Sequence, residues 1–183
     1  MRYIGRRVVS LVAVAFLLPS FALAATGAGD PWIRFAPQAE LFQVDLPATP
    51  EREVGEKSTV VGKIEDISYR VQQDDETYLV TRVELPGFVK LFWPSDRLLQ
   101  NIRDGFLENG NGTETSCSDI ERDGHAGKRL DFVRHEKRGA QAARAEFFVI
   151  DGKMLSFTAI VPQGRSMDGP DRFLSTIELV TAD

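Results

Sequence analysis

The sequence predicts an α+β fold, a central antiparallel sheet with helices packed on both faces, and three observations carry that prediction. Residues Asp123 to Val161 read as three strands joined by turns, with Asp123-Gly124 and Asp151-Gly152 as tight turn pairs and His135 to Gly139 as a polar link. Within them Phe147-Phe148-Val149-Ile150 is apolar without alternation, so that strand needs cover on both faces and belongs at the centre. Two stretches carry apolar residues at helical spacing: Leu98, Leu99, Ile102 and Phe106, then Phe173, Leu174 and Ile177.

Taken in order, Trp32 to Phe35 reads as a short strand or packed entry, and Leu41 to Leu46 alternates as a strand until Pro47 and Pro50 stop it. Glu51 to Thr59 is charged and reads as a loop. Lys63 to Gln72 places Ile67, Tyr69 and Val71 on one face of a strand, Asp74-Asp75 offers a turn, and Thr77 to Leu85 returns as the partner. Ser95 or Asp96 is the expected N-cap of the first helix, which Asn109-Gly110 ends. Thr113 to Glu121, polar apart from Ile120, reads as an edge strand. Pro162 ends the last long strand, Asp168 and Pro170 start the second helix, and the chain then runs out to a polar tail.

Residue sizes and charges set a register for the strands Lys128 to Arg134 and Ala140 to Ile150. Phe132 opposite Ala143 and Leu130 opposite Ala145 put large residues against small ones on the inner face. The same register sets Asp131 against Arg144 and Arg129 against Glu146 on the other. For the next hairpin, a two-residue turn would put Glu146 opposite Phe157. A bulge or a three-residue connection near Gly152, restoring Phe147 opposite Phe157 and Val149 opposite Leu155, is therefore expected.

The N-terminus carries Arg2, Arg6 and Arg7, an apolar run from Val8 to Leu18, Pro19, and the small-residue site Ala22-Leu23-Ala24. This is the pattern of a signal peptide cleaved after Ala24, and its apolar run is too short to cross a bilayer, which takes about 20 residues. Residues 25 to 31 are read as a flexible leader and residues 32 to 183 as one domain, the size being ordinary for a single core with 43% hydrophobic content. The expected location is periplasmic or secreted. The net charge is −5, and removing the signal deletes three arginines and no acid, so a general nucleic-acid binder is disfavoured. Cys117 is the single cysteine, which excludes an internal disulfide.

The order of elements resembles the PsbP-like group, a fold shared by the extrinsic photosystem II subunit, a Ran-binding nuclear-import factor and many small exported bacterial proteins. The resemblance rests on Leu41 to Pro47 followed by Thr49-Pro50, the helix Ser95 to Glu108, and the turn Asp123-Gly124-His125-Ala126-Gly127-Lys128. It extends to the strand Phe147 to Ile150 with Gly152 beyond, and to the helix Arg172 to Ile177. It implies an antiparallel sheet with helices on both faces and implies no reaction.

No zinc, phosphate-loop or hydrolase motif occurs, and His125 and His135 read as turn residues, so neither catalysis, metal nor cofactor is expected. Two stretches stand out as contacts for an unknown envelope protein or anionic envelope component. One is the apolar stretch Phe88 to Trp93, which either plugs one end of the core or presents Phe88, Phe92 and Trp93 to a ligand or partner. The other is a basic hairpin in which Lys128, Arg134 and Arg138 are the candidate contacts, the bland alternative being internal cross-strand pairing. The expected function is that of an exported, non-catalytic binding or accessory protein. The alternative is a carrier holding a small lipophilic molecule between sheet and helix, with Phe92, Trp93 and Phe106 at the pocket.

Overall fold

The computed structural model of the chain describes residues 32–59, 62–87, 94–137 and 139–180, with side chains throughout these ranges except at 57–59 and 62–63. The expected signal and leader, the stretch 88–93 and Arg138 lie outside the described residues. The strands are β1 (Ile33–Phe35), β2 (Phe42–Leu46), β3 (Glu51–Thr59), β4 (Gly62–Gln73), β5 (Glu76–Glu84), β6 (Gly112–Arg122), β7 (His125–Glu136), β8 (Gly139–Ile150), β9 (Lys153–Pro162) and β10 (Glu178–Leu179). Among the described residues the helices are α1 (Ser95–Asn109), between β5 and β6, and α2 (Asp168–Ser175), between β9 and β10.

Seven strands form one antiparallel sheet in the order β3-β4-β5-β9-β8-β7-β6, and β1, β2 and β10 form a small second sheet. The turns that close the hairpins are chemically specific. Asp123 and Gly124 take φ of 49° and 77°, and Asp151 and Gly152 take 48° and 72°. Two successive left-handed residues make the tight turn whose twist matches that of the strands. The β7–β8 register is the one that residue sizes predict: Phe132 faces Ala143, Leu130 faces Ala145, Asp131 faces Arg144 and Arg129 faces Glu146.

The expected bulge near Gly152 is absent. The β8–β9 register runs unbroken, with Phe147 opposite Ser156 and Glu146 opposite Phe157. The expectation put Phe157 on the face of Phe147; instead Phe157 shares a face with Phe148 and with Glu146, which is 0% exposed. Arg129 donates Nε and Nη2 to its Oε1, at 3.0 and 2.5 Å, and Arg122 donates Nη2 to its Oε2 at 2.9 Å. Two guanidiniums thus stand in for water around one carboxylate, so no bulge is required to expel it.

Glu51 to Thr59 is also corrected, from loop to strand. It pairs with β4 over its whole length as the sheet's edge, and its charges are what a solvated edge carries. The N-cap of α1 is Pro94, with no side-chain cap, in place of Ser95 or Asp96. The polar tail after α2 forms β10 against β2.

The large sheet is apolar on both faces. On one, Leu130, Phe132, Ala143, Ala145, Phe147 and Ile160 pack with Leu99 of α1. On the other, Tyr69, Tyr78, Val80, Phe148 and Phe157 pack with Phe42, Val44 and Leu46 of β2 and with Phe173 and Leu174 of α2. Edge-on ring contacts mark that second interface: Phe42 to Phe157 and Tyr78 to Phe173, both at 5.4 Å. The fold is sheet-dominated: α1 covers only part of one face, and on the other face α2 shares the cover with the small sheet. The small sheet shares the second face with α2, because the alternating apolar residues of β2 offer a flat surface complementary to the sheet.

Candidate ligand trough beside helix α1

Helix α1 packs against β6, β7 and β8, leaving the same face of β4, β5 and β9 beside it. The angle between helix and sheet encloses a trough of about 520 Å³, within the roughly 300–1,000 Å³ usual for small-molecule sites. Its floor is Leu79 and Val83 from β5 and Met154, Ser156, Thr158 and Ile160 from β9; its wall is Ile102, Gly105, Phe106 and Asn109 from α1. Strand alternation explains the floor, since every second residue of β9 from Met154 to Ile160 points to this side.

Charge is unevenly distributed along the trough. With β9 as a ruler, Asp66 and Val83 lie at the level of Met154, and Arg70 and Leu79 at the level of Thr158. Arg134, through Gln141, lies at the level of Pro162. One end is therefore acidic and the other basic. Asp66 stands opposite Gly55, and a Cβ on that glycine would lie 2.6 Å from Oδ1, so the carboxylate is folded over bare backbone. Its Oδ1 is buried without a hydrogen-bond partner. Among the described residues Arg70 forms no ion pair, while Arg134 gives Nη2 to Glu136 Oε1 at 2.6 Å.

Of the residues singled out from sequence, Phe88, Phe92, Trp93 and Arg138 lie outside the described residues. Phe106 lines the trough, as the carrier reading expects, and Arg134 lines it too. Lys128 is elsewhere, held 2.5 Å from Asp119 Oδ1, and that hydrogen bond raises its pKa above the ordinary lysine value. Most of the basic hairpin is internally paired: Arg122 and Arg129 with Glu146, and Arg144 with Asp131 and Asp171. Cys117 is half-buried and packs beside the α1-side cluster. No group of three or more potential metal ligands occurs among the described residues, and no described helix is long and apolar enough to cross a membrane.

Overlaid on solved structures, the chain is similar to the solution structure of cyanobacterial PsbP (CyanoP) from Synechocystis sp. PCC 6803, with a TM-score of 0.58 over 88% of this chain and 99% of that one. The fold is PsbP-like. At 12% identity the similarity speaks for the fold alone. Two looser matches are a crystal structure from Bacteroides thetaiotaomicron VPI-5482, with 10% identity, 76% and 45% of the two chains and a TM-score of 0.46, and a protein of unknown function, PA94, from Pseudomonas aeruginosa, titled a putative regulator, with 14% identity, 72% and 83% coverage and a TM-score of 0.34. No family model and no curated sequence matches the chain.

Within this PsbP-like sheet, sequence reasoning passed over Asp66, Arg70, Leu79, Val83, Met154, Ser156 and Thr158 as trough residues. Two signals for them were present. Ser156 and Thr158 place hydroxyls on one face of an otherwise apolar strand. Gly105 sits inside α1, where glycine costs about 1 kcal/mol relative to alanine, and a Cβ there would meet only Asn109 Nδ2, at 3.8 Å.

Proposed function

We propose that the protein is an exported, non-catalytic binding protein of the bacterial cell envelope that carries a small lipophilic molecule in the trough beside α1. The observation that supports this reading is the trough itself, apolar along its floor and wall and punctuated by a few polar groups. Export is supported by the signal-peptide pattern of residues 1 to 24, which directs the chain to a compartment where lipophilic molecules must be ferried through water. The stretch Phe88 to Trp93 links β5 to α1 in sequence, the two elements that supply floor and wall. The reading of the basic hairpin as a partner contact has less support, since its cations are largely paired within the fold.

Native mass spectrometry of the protein purified from its producing cell tests both parts. The expected mature chain begins at Ala25, and incubation with a neutral apolar probe such as dodecanol yields a one-to-one complex. Gly105→Leu, which projects a side chain into the trough, abolishes that complex while melting no lower than the parent. Retention of the intact N-terminus would remove the export reading, and unchanged probe binding by Gly105→Leu would remove the trough.

A further inference from the structure

We propose that the molecule held in the trough is an anionic amphiphile, an apolar chain ending in a carboxylate or phosphate, with its charged end toward Arg70. This rests on the carrier reading above and adds the ligand's charge and direction. The chain as a whole is acidic, at −5, yet among the described residues two of the three charged ones lining this trough are arginines. They occupy the Thr158 and Pro162 levels, whereas Asp66 occupies the Met154 level.

The three groups differ in availability. Asp66 is folded over Gly55 with its Oδ1 buried, so that oxygen is closed to an incoming cation. Arg70 is exposed and forms no ion pair with a described residue, so its guanidinium is free to grip two oxygens of a planar carboxylate or of a phosphate. Arg134 engages Glu136 through Nη2 alone among the described residues, and that contact is at the surface. Arg134 lies on β7, four strands across the sheet from Arg70 on β4, so it adds positive potential at this end of the floor without gripping the same group. From the Asp66 level at Met154 to the Arg70 level at Thr158 is four residue steps of strand, about 13 Å at 3.3 Å per residue. A linear tail lies along that floor against Leu79, Val83 and Met154, with the hydroxyls of Ser156 and Thr158 beside it.

Four probes with one twelve-carbon tail separate the alternatives: dodecanoate, dodecyl phosphate, dodecanol and dodecyltrimethylammonium, each titrated below its micellar concentration into the full mature chain by calorimetry. The expected result is that one or both anions bind at least about tenfold more tightly than the alcohol, as a charge-assisted hydrogen bond implies, and that the ammonium binds worst. Arg70→Gln brings the anions down to the affinity that the parent shows for the alcohol. Preference for one anion identifies the source, a free fatty acid for the carboxylate or a phospholipid-derived species for the phosphate. If alcohol, anions and ammonium bind alike, the trough survives as a carrier site and the anionic assignment is wrong. If none binds, or Gly105→Leu binds all four as the parent does, the carrier reading itself fails.

Discussion

Glu146 is the residue where a single side chain alters the architecture around it. Its carboxylate is wholly buried, and Arg122 ties it to the segment after α2 by donating Nη1 to the carbonyl of Ile177 at 3.1 Å. Removing one partner of such a cluster leaves charge without compensation, a loss of about 3–5 kcal/mol. Glu146→Ala is therefore expected to lower urea-unfolding stability by roughly 3 kcal/mol, the lower end because Arg129 is 39% exposed and can turn to water. Replacing all three residues with methionine restores most of the loss, since apolar packing removes the unpaired charge rather than creating it. If the triple variant is as unstable as the single one, the cost comes from lost packing.

Tyr78 makes a second prediction at this scale. Burial and its hydrogen bond to Glu76 Oε2, at 2.5 Å, raise its pKa well above the ordinary phenol value of 10.0. The folded state thus holds a proton that the unfolded state releases first, so this contribution is intact below pH 10.0 and is lost as pH rises from there toward the folded value. Stability measured against pH should fall more steeply above that point for the parent than for Tyr78→Phe, and a parallel pair of curves would contradict the assignment.

Among the elements, β7 requires a glycine at 127, whereas α1 gains from replacing the one at 105. Gly127 of β7 faces Phe148, and a Cβ there would lie 2.4 Å from a Phe148 ring carbon and 2.6 Å from the Phe147 carbonyl oxygen. Backbone blocks the relief, so Gly127→Ala is expected to cost about 1–3 kcal/mol by overpacking, read as a lowered denaturation midpoint. Gly105 of α1 has open space before it, so Gly105→Ala should stabilise by about 0.5–1 kcal/mol through the helix alone. A destabilised Gly105→Ala would mean that the trough is narrower than drawn. Both expectations belong to the element, because they depend on which neighbour the backbone brings close.

At the scale of the molecule, one sheet serves two tasks through its two faces. The face toward β2 and α2 is closed by interlocking aromatic rings and carries the stability of the fold. The face toward α1 is closed over β6 to β8 and forms the trough over β5 and β9. A ligand seated there stabilises the native state by mass action, so saturating dodecanoate at about 100 times its dissociation constant should add about 2.7 kcal/mol to unfolding stability. The same addition should leave Gly105→Leu unchanged.

Much of the scaffold was legible in the sequence, and the reason is locality. Alternation with period two placed Ile67, Tyr69 and Val71 on one face, and residue size set the β7–β8 register. Asp-Gly pairs, which readily adopt successive positive φ, marked two turns. Each of these depends on neighbours in the chain or on one adjoining strand. The buried side of Glu146, the pairing of β3, the small sheet over the second face and the trough were decided by tertiary structure. Glu146 is compensated by Arg122, 24 residues away, and the trough is bounded by β5, α1 and β9, which are adjacent only in the folded chain. Periodicity states that a face must be buried; only packing supplies what buries it.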